Sequence, residues 1–170
     1  MIQLNSRTTC DKSPVSCLPI LIMGVGNYLM SDDGIGVHAI HALQRLTLPR
    51  NIELLDAGTA TMSFLSNLSG RRKVIIIDAV RSGKPAGTLY RFSPDDIYVQ
   101  KETAISLHQV GIIENIALSG FIDEASADIV VYGIEPGNME CGMSLSPEVE
   151  AGLPKLIDRI CTELDIGIPV

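Results

Sequence analysis

Three aspartates and one histidine carry the chemistry this chain has to offer. Asp32 and Asp33 lie side by side in "LIMGVGNYLMSDDGIGVHAI" (21–40), Asp78 ends the apolar run of "RKVIIIDAV" (72–80), and His108 falls in "ISLHQVGI". A glycine-rich strand-to-helix connection of the first kind usually cradles an anionic ligand, and two adjacent carboxylates would repel one. One carboxylate suffices to cap the helix that follows, accepting orphan N–H groups and complementing its dipole. We assign Asp32 to that cap and Asp33 to a site. Taken singly, Asp78 reads equally well as a hydrogen-bond acceptor for a nearby loop, and His108 as an ordinary helix-terminal residue. Taken together they read differently. Two carboxylates converging at ~5 Å repel by ~3 kcal/mol at an effective dielectric near 20. A divalent cation relieves that repulsion, and His108 completes a set of two oxygens and one nitrogen with positions left open for water or a substrate group. Such a set suits zinc or nickel better than calcium.

Competing chemistries have less support. "GVGNYL" matches the first two glycines of a dinucleotide fingerprint, but Leu29 holds the third position and acidic residues follow where pyrophosphate would lie. His38 and His41 are three apart on the first helix, but they share a face with Arg45 opposite the stripe of Ile35, Ala39 and Leu43, which reads as a solvated face. The chain has no H-E-x-x-H and no G-x-S-x-G. Its four cysteines (Cys10, Cys17, Cys141, Cys161) form no C-x-x-C pair, which fits reduced thiols and gives cysteine-bound zinc little support.

The elements that must position these residues alternate. Strands are expected at 19–24, 51–58, 72–80, 88–92 and 127–134, and helices at 35–47, 59–70, 108–120 and 147–167, the last with Pro154 as a candidate kink. "KVIIIDAV" should be a central strand buried on both faces. "TLYRF" follows so closely that an antiparallel neighbour is expected. Gly34 and Gly36, costly at the start of a helix, imply close packing of helix on sheet. The result is a three-layer α/β/α sandwich around a mixed, mostly parallel sheet of about five strands. The carboxyl ends of its strands would carry Gly24 to Asp33, Asp56 to Thr59, Asp78 and the loop after Ile134 along one rim.

Size fits one domain, 19–170, behind a polar extension at 1–18 that lacks the continuous apolar stretch of a secretory signal. The core is aliphatic, since 46% of residues are hydrophobic but only 4% aromatic. A net charge of -7 argues against nucleic acid or an anionic membrane as partner. With no large exposed apolar stripe evident, a monomer is expected.

At this point a family resemblance emerges. "GVGNYLMSDDGIGVHAI", "LLDAGTATMSFL", "VIIIDAV", "LHQVG" and "GIEPGNMECGMSLSPEV" resemble, in order and spacing, the successive motifs of the hydrogenase maturation proteases, from about Pro19 to Ile160. The resemblance implies a cytoplasmic endopeptidase, here of aspartyl type. It would make one cut near the C-terminus of a nickel–iron hydrogenase large-subunit precursor, releasing a short tail after nickel insertion. The family's metal-contacting positions fall on Asp33 (where some members carry Glu), Asp78 and His108. Nickel would then arrive in the substrate, with zinc or cadmium able to substitute, and Asp33 and Asp78 would be the catalytic carboxylates; either one of them or the metal activates water. The "HQVG" and "LSPEV" segments look more like members serving uptake hydrogenases. The N-terminal extension departs from the family pattern. Two other classes stay open: an aminopeptidase-like hydrolase holding its own zinc on the same three residues, and a non-catalytic α/β module that binds metal.

Overall fold

The computed structural model describes residues 20–60, 68, 70–93, 96 and 128–166. The extension 1–18, His108, most of the helix expected at 59–70 and all of that at 108–120 lie outside the described residues.

Five strands form one sheet: β1 (Ile20–Val25), β2 (Ile52–Gly58), β3 (Lys73–Ala79), β4 (Leu89–Phe92) and β5 (Asp128–Ile134), in the order β2-β1-β3-β5-β4. All neighbours are parallel except β4 and β5. The strand expected at the centre is there, and Val74 to Ile77 are fully buried. The antiparallel strand expected at 88–92 is present as β4, but its partner is β5, not β3. Ile129 to Ile134 are buried on both faces and demand an interior slot, whereas β4 carries the exposed Arg91 and tolerates an edge.

Alternation along the strands sorts the core into two layers. Ile22, Ile75, Ile77, Val130, Tyr132 and Ile134 meet two helices, α1 (Ile35–Leu43) and α2 (Pro147–Glu163). Leu21, Met23, Val74, Ile76, Ile129 and Val131 pack with Leu68 on the opposite face. Helix α1 stops four residues short of its expected end, and Leu46 still packs on the core from the turn beyond. Helix α2 runs through Pro154, whose ring stands on the exposed face while Val149, Gly152, Leu156 and Ile160 are buried.

Candidate active site

Glycine determines how near the acidic turn comes to the sheet. A Cβ on Gly36 would lie 2.2 Å from the Val25 carbonyl oxygen and 2.5 Å from that of Ile77, so the first turn of α1 rests directly on the backbones of β1 and β3. Gly26 has φ 123, and a Cβ there would lie 1.8 Å from the Asp33 carbonyl oxygen. Between these contacts the chain makes a tight 3-10 turn, Ser31–Gly34, that packs against β3. The expected close packing of helix on sheet is thus present, and it brings Asp33 to the carboxyl end of β3, where Asp78 lies.

Asp33 is half-buried, and its Oδ2 accepts the Asn27 N–H at 2.8 Å. Asp78 is only 8% exposed, and its Oδ1 accepts the Ala79 N–H at 2.8 Å. Burial pushes the Asp78 carboxyl up to about 7; the Ala79 hydrogen bond pulls it back, and the charge of Asp33 adds to the upward push. A buried carboxyl that titrates near neutrality beside a second carboxylate is a recognised property of functional acids and bases. Among the described residues no group of three His, Cys, Asp or Glu is assembled to hold a metal, and His108, the third member of the expected set, lies outside them.

Asp32 does not do what the sequence suggested. It caps neither the 3-10 turn nor α1, whose N-cap positions are Met30 and Gly34 without side-chain bonds. Its fully buried carboxylate instead accepts N–H groups from Gly137 at 2.8 Å, Asn138 at 2.7 Å and Ser146 at 2.6 Å, plus the Ser146 hydroxyl at 2.7 Å. Burial alone would raise its pKa, but these bonds hold it below the ordinary carboxylate value. Ser146 is the N-cap residue of α2, so Asp32 meets the positive end of that helix rather than the start of its own.

The histidines also depart from expectation. His41 is exposed, 4.0 Å from Asp56, but His38 is partly buried, its ring 4.8 Å from that of Tyr28. His38 Nε2 is buried with no hydrogen-bond partner, and burial holds the imidazole below its usual value against the pull of the Met143 backbone. The loop after β5 folds over this part of the helix, a contact that helical periodicity alone does not reveal. Asn27, Tyr28, His41, Asp56 and Thr59 line a cleft of about 300 Å³ that adjoins the Asp33 turn through Asn27.

A further buried carboxylate lies outside the set expected from the sequence. Glu135, 5% exposed at the end of β5, accepts the N–H groups of Ser82 and Gly83, the Ser82 hydroxyl and the Tyr90 hydroxyl. Burial followed by that bond raises the Tyr90 phenol to about 12. Glu135 therefore fixes the loop that leaves Asp78. An acid directly after the apolar run "IVVYGI" was the available signal.

A mostly parallel sheet packed against helices, with one carboxylate at the end of β3 and a second on the turn packed against it, is an α/β frame of a kind that suits hydrolytic chemistry. The family model for hydrogenase maturation proteases matches residues 37–163. The hydrogenase 2 maturation protease of Escherichia coli (strain K12) is 35% identical over 147 residues, covering 85% of this chain and 90% of its own. Among solved structures, the hydrogenase maturating endopeptidase HybD from E. coli superposes with a TM-score of 0.75 at 33% identity, covering 87% of this chain and 93% of its own. The [NiFe] hydrogenase maturation protease HybD from Thermococcus kodakarensis gives 0.70 at 31%, covering 86% and 99%. This chain belongs to the hydrogenase maturation protease family and is an endopeptidase of that family.

Proposed function

We propose that the protein removes a short C-terminal peptide from the nickel-loaded large-subunit precursor of a nickel–iron hydrogenase, and that Asp33, Asp78 and His108 recognise the nickel the substrate carries. It would work in the cytoplasm as a monomer; no helix among the described residues is long and apolar enough to cross a membrane. The observation that supports this reading is the packing of the Ser31–Gly34 turn, which carries Asp33, against β3, at whose end the buried Asp78 lies, with the charge of Asp33 adding to the upward push on the Asp78 carboxyl. A pair of that kind is eased by a doubly charged ion. The donor set of two carboxylates and an imidazole accepts nickel, and zinc or cadmium as substitutes. Holding the substrate's own metal fixes the nearby peptide bond by proximity. One of the two carboxylates, or the substrate's metal, then activates the attacking water, whose proton passes to the departing amine.

The test mixes the protein with nickel-loaded and nickel-free precursor and weighs the products by mass spectrometry. One shortened large subunit and one small peptide should form from the loaded precursor alone. Equal cleavage of both would remove nickel recognition from the mechanism.

A further inference from the structure

Among the described residues, two large apolar side chains are strongly exposed: Leu29 at 60% and Met143 at 55%. They belong to segments far apart in the chain, yet they flank one parallel bridge, Met30 to Gly142. There Ser31 N–H donates to the Gly142 carbonyl at 2.8 Å, and Gly142 N–H to the Leu29 carbonyl at 2.9 Å. Met30 Sδ and Cys141 Sγ lie 3.8 Å apart in the same place. Single exposed apolar residues are ordinary, but two brought to one edge with two sulfur side chains beside them make a patch.

This edge is also stiff. Ser31 is held at φ 48, a left-handed conformation a serine adopts only under constraint. Asp32 next to it spends a buried carboxylate on residues 137, 138 and 146 of the opposing loop. A surface ordered before binding loses little entropy on binding.

We propose that the Leu29–Met143 edge is a docking surface for an apolar patch on the folded body of the hydrogenase precursor; the inference rests on the function proposed above. The substrate of an endopeptidase is a protein, and Leu29 lies four residues before Asp33 on the connection between β1 and α1. A precursor whose scissile segment reaches Asp33 therefore has Leu29 within ~14 Å of that segment, the most that four residues of chain can span. The exposed Glu140 at the margin favours a basic rim around that apolar patch. A second copy of this chain is the poorer occupant, because a stable interface buries about 1,600 Å² and two side chains anchor only part of that, whereas the precursor is also held where its scissile segment is bound.

The test is Leu29→Gln/Met143→Gln, assayed for processing of nickel-loaded precursor over a range of precursor concentrations, with thermal melting alongside. The expected result is an apparent KM raised about tenfold or more, as when apolar anchors of an interface are truncated, with kcat and melting temperature unchanged. An unchanged KM, or a loss confined to kcat, overturns the docking surface while the wild type still cuts. A wild-type dimer in sedimentation that the double variant loses also overturns it, since the edge would then face a second copy. If the double variant does not fold, Met143→Gln alone is read by the same criteria. A wild type that leaves the precursor intact overturns the proposed function, and the docking surface with it.

Discussion

Asp32 and Ser146 are joined twice: the serine amide donates to Oδ1 at 2.6 Å and its hydroxyl to Oδ2 at 2.7 Å. The serine begins α2 and gives its hydroxyl to Asp32 rather than to its own helix. Two aspartates adjacent in sequence thus have opposite surroundings. Asp32 faces inward and satisfies backbone, while Asp33 stays half-exposed at the end of β3. The pair is acidic for two reasons, one architectural and one, under the function proposed above, for the site.

Asp32→Ala leaves three backbone N–H groups and a hydroxyl without their acceptor. Each orphaned buried donor costs about 1–3 kcal/mol, so urea denaturation at pH 7 should show a loss of roughly 3 kcal/mol or more. The folded-state pKa of Asp32 lies below its ordinary 3.8. Its contribution is therefore fully present above about pH 4 and fades as pH falls through the folded value, where the gap between variant and wild type should narrow. A constant gap across that window would show that packing, not charge, holds the loop.

Asp78 works in the opposite sense. Its carboxyl is raised from 3.8 to about 7, so the fold is favoured with the proton on. Stability tied to this group is complete below pH 3.8 and is lost as pH rises through about 7. Asp78→Asn removes the buried charge at higher pH. It should raise stability at pH 8 by up to about 4 kcal/mol, have little effect at pH 4, and abolish processing. A more stable, inactive variant is the signature of a site kept at the expense of the fold. An inactive variant that is less stable at pH 8 would contradict the assigned pKa.

Asp33→Asn keeps an oxygen for the Asn27 N–H, so the variant should fold normally. It removes the negative charge that helps to raise Asp78. The Asp78 carboxyl, followed by carbon NMR through a pH titration, should therefore titrate at lower pH than in the wild type, while cleavage of nickel-loaded precursor is lost. An unmoved titration would mean that the two carboxylates do not face each other.

Much of this was legible in the sequence, for identifiable reasons. Strands buried on both faces announce themselves as apolar runs, so β3 and β5 and the position of Asp78 at a strand end were readable from "VIIIDAV" and "IVVYGI". The glycines at 34 and 36 signalled the close approach of α1. Three features were not readable: the acceptor role of Asp32 toward residues 137–146, the cover over His38, and the pairing of β4 with β5. All three depend on contacts between distant segments, and local rules of capping, periodicity and neighbour pairing carry no term for them. Asp32 looked like a cap because it stands where caps stand, and only the fold of the loop after Ile134 gives it other donors.

Gly36 offers a purely geometric test of what holds the site together. Replacing a helical glycine by alanine ordinarily gains about 1 kcal/mol. Here the added methyl carbon would lie 2.2 Å from the Val25 carbonyl oxygen, 2.4 Å from the Val25 nitrogen and 2.5 Å from the Ile77 carbonyl oxygen, all backbone atoms of the sheet. Overpacking against atoms that cannot rotate away costs about 3 kcal/mol or more, which outweighs the propensity gain. Gly36→Ala should therefore lower the melting temperature. It should also lower processing of nickel-loaded precursor at temperatures where the variant is fully folded, because lifting α1 from β1 and β3 carries Asp33 away from Asp78. Gly34→Ala provides the comparison: its nearest contact is the Tyr28 Cα at 2.9 Å, so a smaller loss is expected. If Gly36→Ala is as stable and as active as the wild type, the contact of α1 with the sheet is not what sets the distance between the two carboxylates.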